Sequence, residues 1–536
     1  MVLQNTLATW APVKCSPTKG ELVSQAHIET APLSNQGVDS LDSDLLIVGA
    51  GLSGIGAARH LQAQSPLTRW ALVEARARLG GTWDLFRYPG VRSDSDMHTL
   101  GYAFKPWTDR KAIADGPSIL RYIQNTAEET GISAKIQLGC KVMRADWSTA
   151  RSCWSVTLTQ ANGSLHGVTT RFLYLCSGYY SYDQAHQPAF EGQATFQGKW
   201  VHPQFWPQDL DYSGKRVVVI GSGATAATLV PSMAAKAAHV TMLQRSPTYM
   251  VSRPTEDAVA LNFQRFLPER MAHNLTRWKN ILLGMYFFRL SRRYPDKVKN
   301  HLIGLTQQQL GTEFDTTKHF TPRYNPWDQR ICLVPDGDLF REVRAGRASV
   351  VTDTIVRITP SGIELASGEH LAADIIVSAT GLQLNALGDI AFSVDGQTYN
   401  PAQAIAYKGM MLSDLPNVFM AMGYTNASWT LKADLTAGYV CRLLKHMTQR
   451  GYTQAMPQKD PRMQAQPYFD FSSGYVKRAE SLLPKQGDRA PWRVYQNYLA
   501  DMLSLRWGRL DDGVMQFKGL IQTDHAGLRM TRTEPD

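Results

Sequence analysis

The chain has 536 residues, 43% hydrophobic and 19% charged, the balance of a globular protein long enough for more than one core. Its formal charge of +10 is scattered and no nucleic-acid motif accompanies it, so the charge suits phosphate-bearing cofactors rather than nucleic acid. The six cysteines, Cys15, Cys140, Cys153, Cys176, Cys332 and Cys441, form no CxxC pair and no metal spacing, which points to free thiols in a cytoplasmic setting and argues against a dithiol reductase.

Residues 1–42 are polar, with no Arg and no apolar core of a signal peptide, and are expected to form a flexible extension. No apolar run reaches the roughly 18 residues of a membrane span. Residues 43–195 are expected to form the first segment of a dinucleotide-binding domain. There Asp44–Val48 reads as a buried strand, and Gly49-Ala-Gly51-Leu-Ser53-Gly54 turns it into a helix whose N-terminus can face a pyrophosphate. Gly49 permits the tight turn, Gly51 lets phosphate approach the backbone, Gly54 lets helix pack on strand, and Ser53 is placed to reach a phosphate. The next strand, WALVEA, sets Glu74 twenty residues after Gly54, where a carboxylate accepts from a ribose hydroxyl; an unphosphorylated ribose suits FAD. After a Gly- and Pro-rich loop (residues 80–94), residues 135–160 alternate as antiparallel strands.

Residues 196–379 read as a second dinucleotide domain. GKRVVVIGSGATAATLV repeats the strand, turn and helix around Gly221-Ser222-Gly223-Ala224-Thr225-Ala226, followed by Ala227 and Thr228. The following strand ends in Gln244-Arg245-Ser246. An acid there would repel a 2′-phosphate, whereas Arg245, with Ser246 beside it, binds one, so NADPH is expected at this site. Residues 256–312 read as basic, amphipathic helices inserted in this domain, either a cap beside the substrate entrance or a contact with a membrane surface. The strand ADIIVS leads through Ala379-Thr380-Gly381 back to the FAD domain, and residues 380–536 complete that domain with a mostly helical or irregular tail. The expected fold is α/β, with two Rossmann-like domains.

Between the two glycine loops, Phe196-x-Gly198-x-x-x-His202-x-x-x-Trp206-Pro207 resembles the fingerprint of type I Baeyer–Villiger monooxygenases. RYPGVRSDSDMHTLGYAFKPW, CSGYYSYDQ, GSGATAATLVP, LQRSPTY and PWDQR also resemble the ethionamide-activating branch of that class B flavoprotein family. Cys176-Ser177-Gly178 stands where the family often has Ala-Thr-Gly. The resemblance implies an enzyme that uses FAD, NADPH and O2 to insert oxygen beside a ketone carbonyl through a C4a-peroxyflavin, and to oxygenate thioethers or thiocarbonyls. It implies that Thr82, Trp83, Asp84 and Leu85 line the flavin, that Val142 contacts adenine, and that Arg92 and Ser93 meet NADP. It implies that Arg330, oriented by Asp94, stabilises anionic species at the flavin, and that His202 couples the motion of the two domains. A flavin-containing N- or S-hydroxylase is the alternative enzyme, and a non-catalytic flavin and NADPH sensor a third reading. The motifs leave the substrate and the choice between monomer and homo-oligomer open.

Overall fold

A computed structural model describes residues 42–519, so the extension expected over residues 1–42 lies outside the described residues but for Asp42. Strand β1 (Ser43–Val48) is followed by helix α1 (Leu52–Gln64) and β2 (Trp70–Glu74). Leu45, Leu46, Ile47 and Val48 are all buried, because a parallel strand covered on both faces needs an apolar run rather than alternation. Helix α2 (Gly116–Glu129) starts at an Asp115 cap whose carboxylate accepts from the Ser118 N–H. Then come β3 (Ile136–Leu138), β4 (Cys140–Ser148), β5 (Cys153–Gln160) and β6 (Leu165–Leu175).

A second set begins with β7 (Lys199–Val201), β8 (Arg216–Ile220), helix α3 (Ala224–Ala234) and β9 (His239–Gln244). The basic stretch folds into α4 (Ala258–Phe266), α5 (Glu269–Arg293) and α6 (Pro295–Leu310). The chain then adds β10 (Ala348–Thr352) and β11 (Ile375–Ser378), giving a five-stranded parallel sheet in the order β10-β9-β8-β11-β7.

After β11 the chain returns to the first sheet with β12 (Ala391–Val394), β13 (Gln397–Tyr399) and β14 (Val418–Met420). That nine-stranded sheet runs β13-β12-β4-β5-β6-β1-β2-β3, with β14 pairing to the end of β6. The fold is the expected α/β arrangement of two nucleotide-binding sheets. The C-terminal part differs from a helical or irregular tail. It holds α7 (Trp429–Arg450) and α8 (Tyr498–Trp507), but also strand pairs, Tyr452–Pro457 with Met515–Gly519 and Ala465–Pro467 with Lys485–Gly487. Neither Tyr452–Pro457 nor Met515–Gly519 alternates buried with exposed residues, and the strands of the other pair have three residues each, so no period-two signal marks them.

Buried charge ties the helices together. Asp434 on α7 pairs with Arg277 of α5 at 3.3 Å and with His60 of α1 at 3.3 Å, and accepts from the Ala103 N–H. Arg277 also donates to the carbonyls of His98, Thr99 and Gly101. Those donors hold the Asp434 carboxyl below the usual carboxylate range despite its burial. Asp434→Ala would leave Arg277 buried without its counter-charge, and we expect a loss of about 3–5 kcal/mol in urea or thermal unfolding.

Candidate active site

A cavity of about 470 Å3 runs from the first glycine loop to Arg330, across the gap between the two sheets. At its nucleotide end lie Gly49, Gly51, Ser53, Glu74 and Val142. Gly49 has φ +103°, and a Cβ there would meet the Cys176 carbonyl oxygen at 2.6 Å, so only glycine makes this turn. Gly54 does not line the cavity. A Cβ on it would come within 1.8 Å of the Gly49 carbonyl oxygen, which is the close packing of helix on turn read from the motif. Neither α1 nor α3 has a side-chain N-cap, so their first-turn N–H groups are left for an anion. The Glu74 carboxylate accepts from the N–H groups of Ala50 at 2.7 Å and Arg76 at 2.9 Å. Burial raises its pKa, and the two backbone donors oppose the rise. Ser53 accepts from the Trp429 indole N–H at 2.8 Å and keeps its own hydroxyl proton to donate.

In the middle, Thr82 and Trp83 line the cavity, whereas Asp84 and Leu85 do not. Asp84 is buried under three guanidiniums, Arg76 at 2.5 Å, Arg78 at 3.1 Å and Arg87 at 2.6 Å. Its carboxylate anchors the loop and does not face the cavity. The charge of Asp84 is thus satisfied from behind, on the side away from the cavity. Arg92 faces the cavity with its guanidinium held by Asp338 at 2.5 Å. Beside it, the Ser93 hydroxyl is buried without a partner and borders the same space.

At the far end Asp94 and Arg330, which lie 236 positions apart, form a short ion pair and both line the cavity. Asp94 holds the Arg330 guanidinium well above its ordinary pKa, so it stays charged throughout the working range. The surrounding wall is aromatic. Tyr179 stacks on Trp429 at 5.0 Å and meets Tyr180 at 4.5 Å, with their hydroxyls 3.2 Å apart. Burial pushes the Tyr180 phenol up to about 12, so it remains protonated. Sequence reasoning missed this wall. The only signal was the density of Tyr in CSGYYSYD and the Trp ending GYTNASW.

From the second glycine loop, Ala224, Thr225 and Thr228 reach this cavity. Ala226 and Ala227 are buried beneath the helix, and Ser222 and Gly223 lie on its outer side. A Cβ on Gly223 would meet open space, so the approach to its backbone is free. Ser222 donates to the Ser246 carbonyl at 3.0 Å, bringing Arg245 and Ser246 next to the loop, and Arg245 is exposed with no partner among the described residues. His202 is outside the cavity. Its Nδ1 accepts from the Gln204 N–H at 3.1 Å, its Nε2 sits beside the backbone of Gly381, and burial lowers its pKa, so the ring is neutral at pH 7.

Residues 108–308 match the family described as flavin-binding monooxygenase-like, and residues 47–109 the NAD(P)-binding Rossmann-like domain. Among solved structures, a steroid monooxygenase bound to NADP superposes with a TM-score of 0.69 at 21% identity, covering 89% of this chain and 99% of that one. A probable FAD-binding monooxygenase, AlmA of Acinetobacter baylyi, is 48% identical over 88% of this chain and 96% of its own. The FAD-containing monooxygenase EthA of Mycobacterium tuberculosis is 52% identical over 476 residues, 88% of this chain and 97% of the relative. With the first glycine loop and the helix that follows the second both reaching one cavity, and that degree of identity along nearly the whole relative, the chain belongs to the family of FAD-containing monooxygenases.

Proposed function

We propose that the protein is an FAD- and NADPH-dependent monooxygenase that inserts oxygen beside a ketone carbonyl to give an ester or lactone, and that also oxygenates thioethers and thiocarbonyls. The Asp94–Arg330 pair at the end of the cavity carries this reading.

The residues present fit both cofactors. The open cradle at Gly49 and Gly51, the uncapped N-terminus of α1, Glu74 and Val142 would hold FAD, with Thr82 and Trp83 along its ring. Thr225, Thr228 and the unpaired Arg245 would hold NADPH, with the buried Ser93 hydroxyl supplying a donor between the two sites. When bound, NADPH supplies hydride to FAD, and the reduced FAD activates O2 for transfer of one oxygen atom. The protein's part is electrostatic. Addition to a carbonyl places negative charge on its oxygen, and a fixed guanidinium in a site walled by aromatic rings stabilises that charge more than water does. Asp94 orients Arg330 through their ion pair. Tyr179, Tyr180 and Trp429 exclude water from the same end. His202 acts at a distance, as a packed link between the segment before β8 and the exit from β11.

The arginine separates this reading from an N- or S-hydroxylase, since a heteroatom nucleophile generates no carbonyl oxyanion. Gas chromatography of a small ketone panel incubated with FAD-loaded enzyme, NADPH and O2 should yield esters or lactones. Heteroatom oxygenation with no ester from any ketone would place the enzyme with the hydroxylases, and absence of any substrate-stimulated NADPH oxidation would leave the sensor reading.

The exposed Arg245 should also be separable by kinetics. Arg245→Ala should raise the KM for NADPH about 10- to 100-fold, the worth of one charge-assisted hydrogen bond, and leave the KM for NADH unchanged. A parallel rise for both coenzymes would show that Arg245 does not meet the 2′-phosphate.

Of the two readings of the basic helices, we propose contact with a membrane surface over a cap at the substrate entrance. Among the described residues no helix is long and apolar enough to cross a membrane. Helix α5 nonetheless presents Leu275, Leu282 and Leu283, 44–50% exposed, and Tyr286 on its outer side, in a segment rich in Lys and Arg. Cosedimentation with anionic vesicles, lost in Leu282→Glu, would test it.

A further inference from the structure

A second hollow of about 520 Å3 lies between α5 and the C-terminal segment. It shares two walls with the active-site cavity. Thr425 and Asn426 face the hollow, while Tyr424, Ala427, Ser428 and Trp429 of the same loop line the cavity. Likewise Trp327 faces the hollow and Arg330 the cavity.

The lining divides into two chemical kinds. One part is aromatic, with Phe288 of α5 packed edge-to-face on Trp327 at 5.8 Å. The other is cationic, with Arg289, Arg292 and Arg493 facing the single carboxylate of Asp470. Arg292 is already engaged, at 2.8 Å from Asp328 and 3.8 Å from Asp470. Among the described residues Arg289 and Arg493 have no carboxylate partner, and Arg493 instead lies 5.9 Å from the Tyr495 ring. The Trp327 indole N–H is buried without an acceptor, and its backbone sits at φ +71°, a left-handed conformation that a bulky residue adopts only when its surroundings impose it. Two unmatched guanidiniums and an unused N–H beside an aromatic surface are complementary to a molecule with an anionic head and an apolar body.

We propose that this hollow binds the anionic head, carboxylate or phosphate, of an amphiphilic ketone or thioether. Arg289 and Arg493 hold the head, Phe288 and Trp327 pack the apolar body, and the reacting group extends past the shared loops toward Arg330. The proposal rests on the monooxygenase reading for the reaction, but not for the binding.

The test therefore measures binding first. FAD-loaded full-length protein is titrated calorimetrically with dodecanoate, dodecyl phosphate and dodecanol, none of which carries a carbonyl to oxygenate. At least one anion should bind about 10-fold or more tightly than dodecanol, and the stronger of the two identifies the head group. The preference should vanish in R289Q/R493Q and return in part in R289K/R493K, with FAD content and melting temperature as in wild type because both side chains are exposed. Equal affinity for anions and alcohol, or an anion preference that survives R289Q/R493Q, overturns the proposal. Turnover of an oxo-dodecanoic acid and its methyl ester is then compared. The acid should show the lower KM at similar kcat, and R289Q/R493Q should erase that difference. Arginine-dependent anion binding without oxygenation of either compound would overturn the monooxygenase reading and keep the anion site, whereas oxygenation of both with no KM difference would overturn the substrate assignment alone.

Discussion

Arg330→Ala is expected to lower the rate of ester formation from ketones by about 100- to 1000-fold, while NADPH still reduces the bound flavin at nearly the wild-type rate. The asymmetry follows from where the charge sits. Arg330 shares an ion pair with Asp94 at the end of the cavity remote from Glu74 and the first glycine loop, so its removal leaves the nucleotide contacts intact. What disappears is the cation that Asp94 holds beside the aromatic wall, and with it the stabilisation of a developing oxyanion. Stopped-flow absorbance of the flavin under nitrogen, paired with product analysis in air, reads the two steps separately. Slowed anaerobic reduction of the same size would instead give Arg330 a role in binding the coenzyme. Arg330→Lys should recover only part of the activity, because an ammonium keeps the charge but not the planar fork that Asp94 orients.

Gly54→Ala should abolish FAD retention. One methyl group would stand 1.8 Å from the Gly49 carbonyl oxygen and 3.0 Å from its carbon, both backbone atoms of the turn itself. No rotamer relieves such a clash, so α1 must move away from the loop and carry the N–H groups of its first turn with it. The variant is expected to purify colourless, with a melting temperature lowered by several degrees, as a packing loss of about 1–3 kcal/mol implies for a chain of this size. The comparison substitution is Gly223→Ala, where a Cβ meets open space, and which should leave folding unaffected. Full FAD content in Gly54→Ala would show that the turn can relax and that the close approach is dispensable.

Both glycine loops were legible from sequence because each is a local device, in which strand, turn and helix follow within twenty residues and Gly49, Gly54 and Gly221 each have a steric reason. Glu74 was legible for the same cause, sitting at the end of the adjacent parallel strand. The Asp94–Arg330 pair was legible only through resemblance, since residues 236 positions apart leave no periodic trace. Asp84 was legible as a position but not as the centre of a charge cluster. Its position in Gly-Gly-Thr-Trp-Asp was plain, but the three arginines that turn it inward could not be seen from the order of residues. The Ser53–Trp429 bond and the aromatic wall lay equally out of reach, because each joins segments separated by the whole second sheet, and the second hollow did too, because it joins α5 to residues more than 100 positions later.

The placement of β14 sets the order in which the molecule can be made. The five strands of the second sheet lie between residues 199 and 378 and are complete once that stretch has left the ribosome. The first sheet is not, because Leu173, Tyr174 and Leu175 at the end of β6 pair with β14, whose residues 418–420 are synthesised some 240 positions later. The earlier-made sheet thus keeps an unpaired apolar strand end until residue 420 is made, and Trp429, on the helix that follows β14, can reach Ser53 only later still. A nascent chain stalled before residue 418 carries an unpaired strand end and an unfinished cradle.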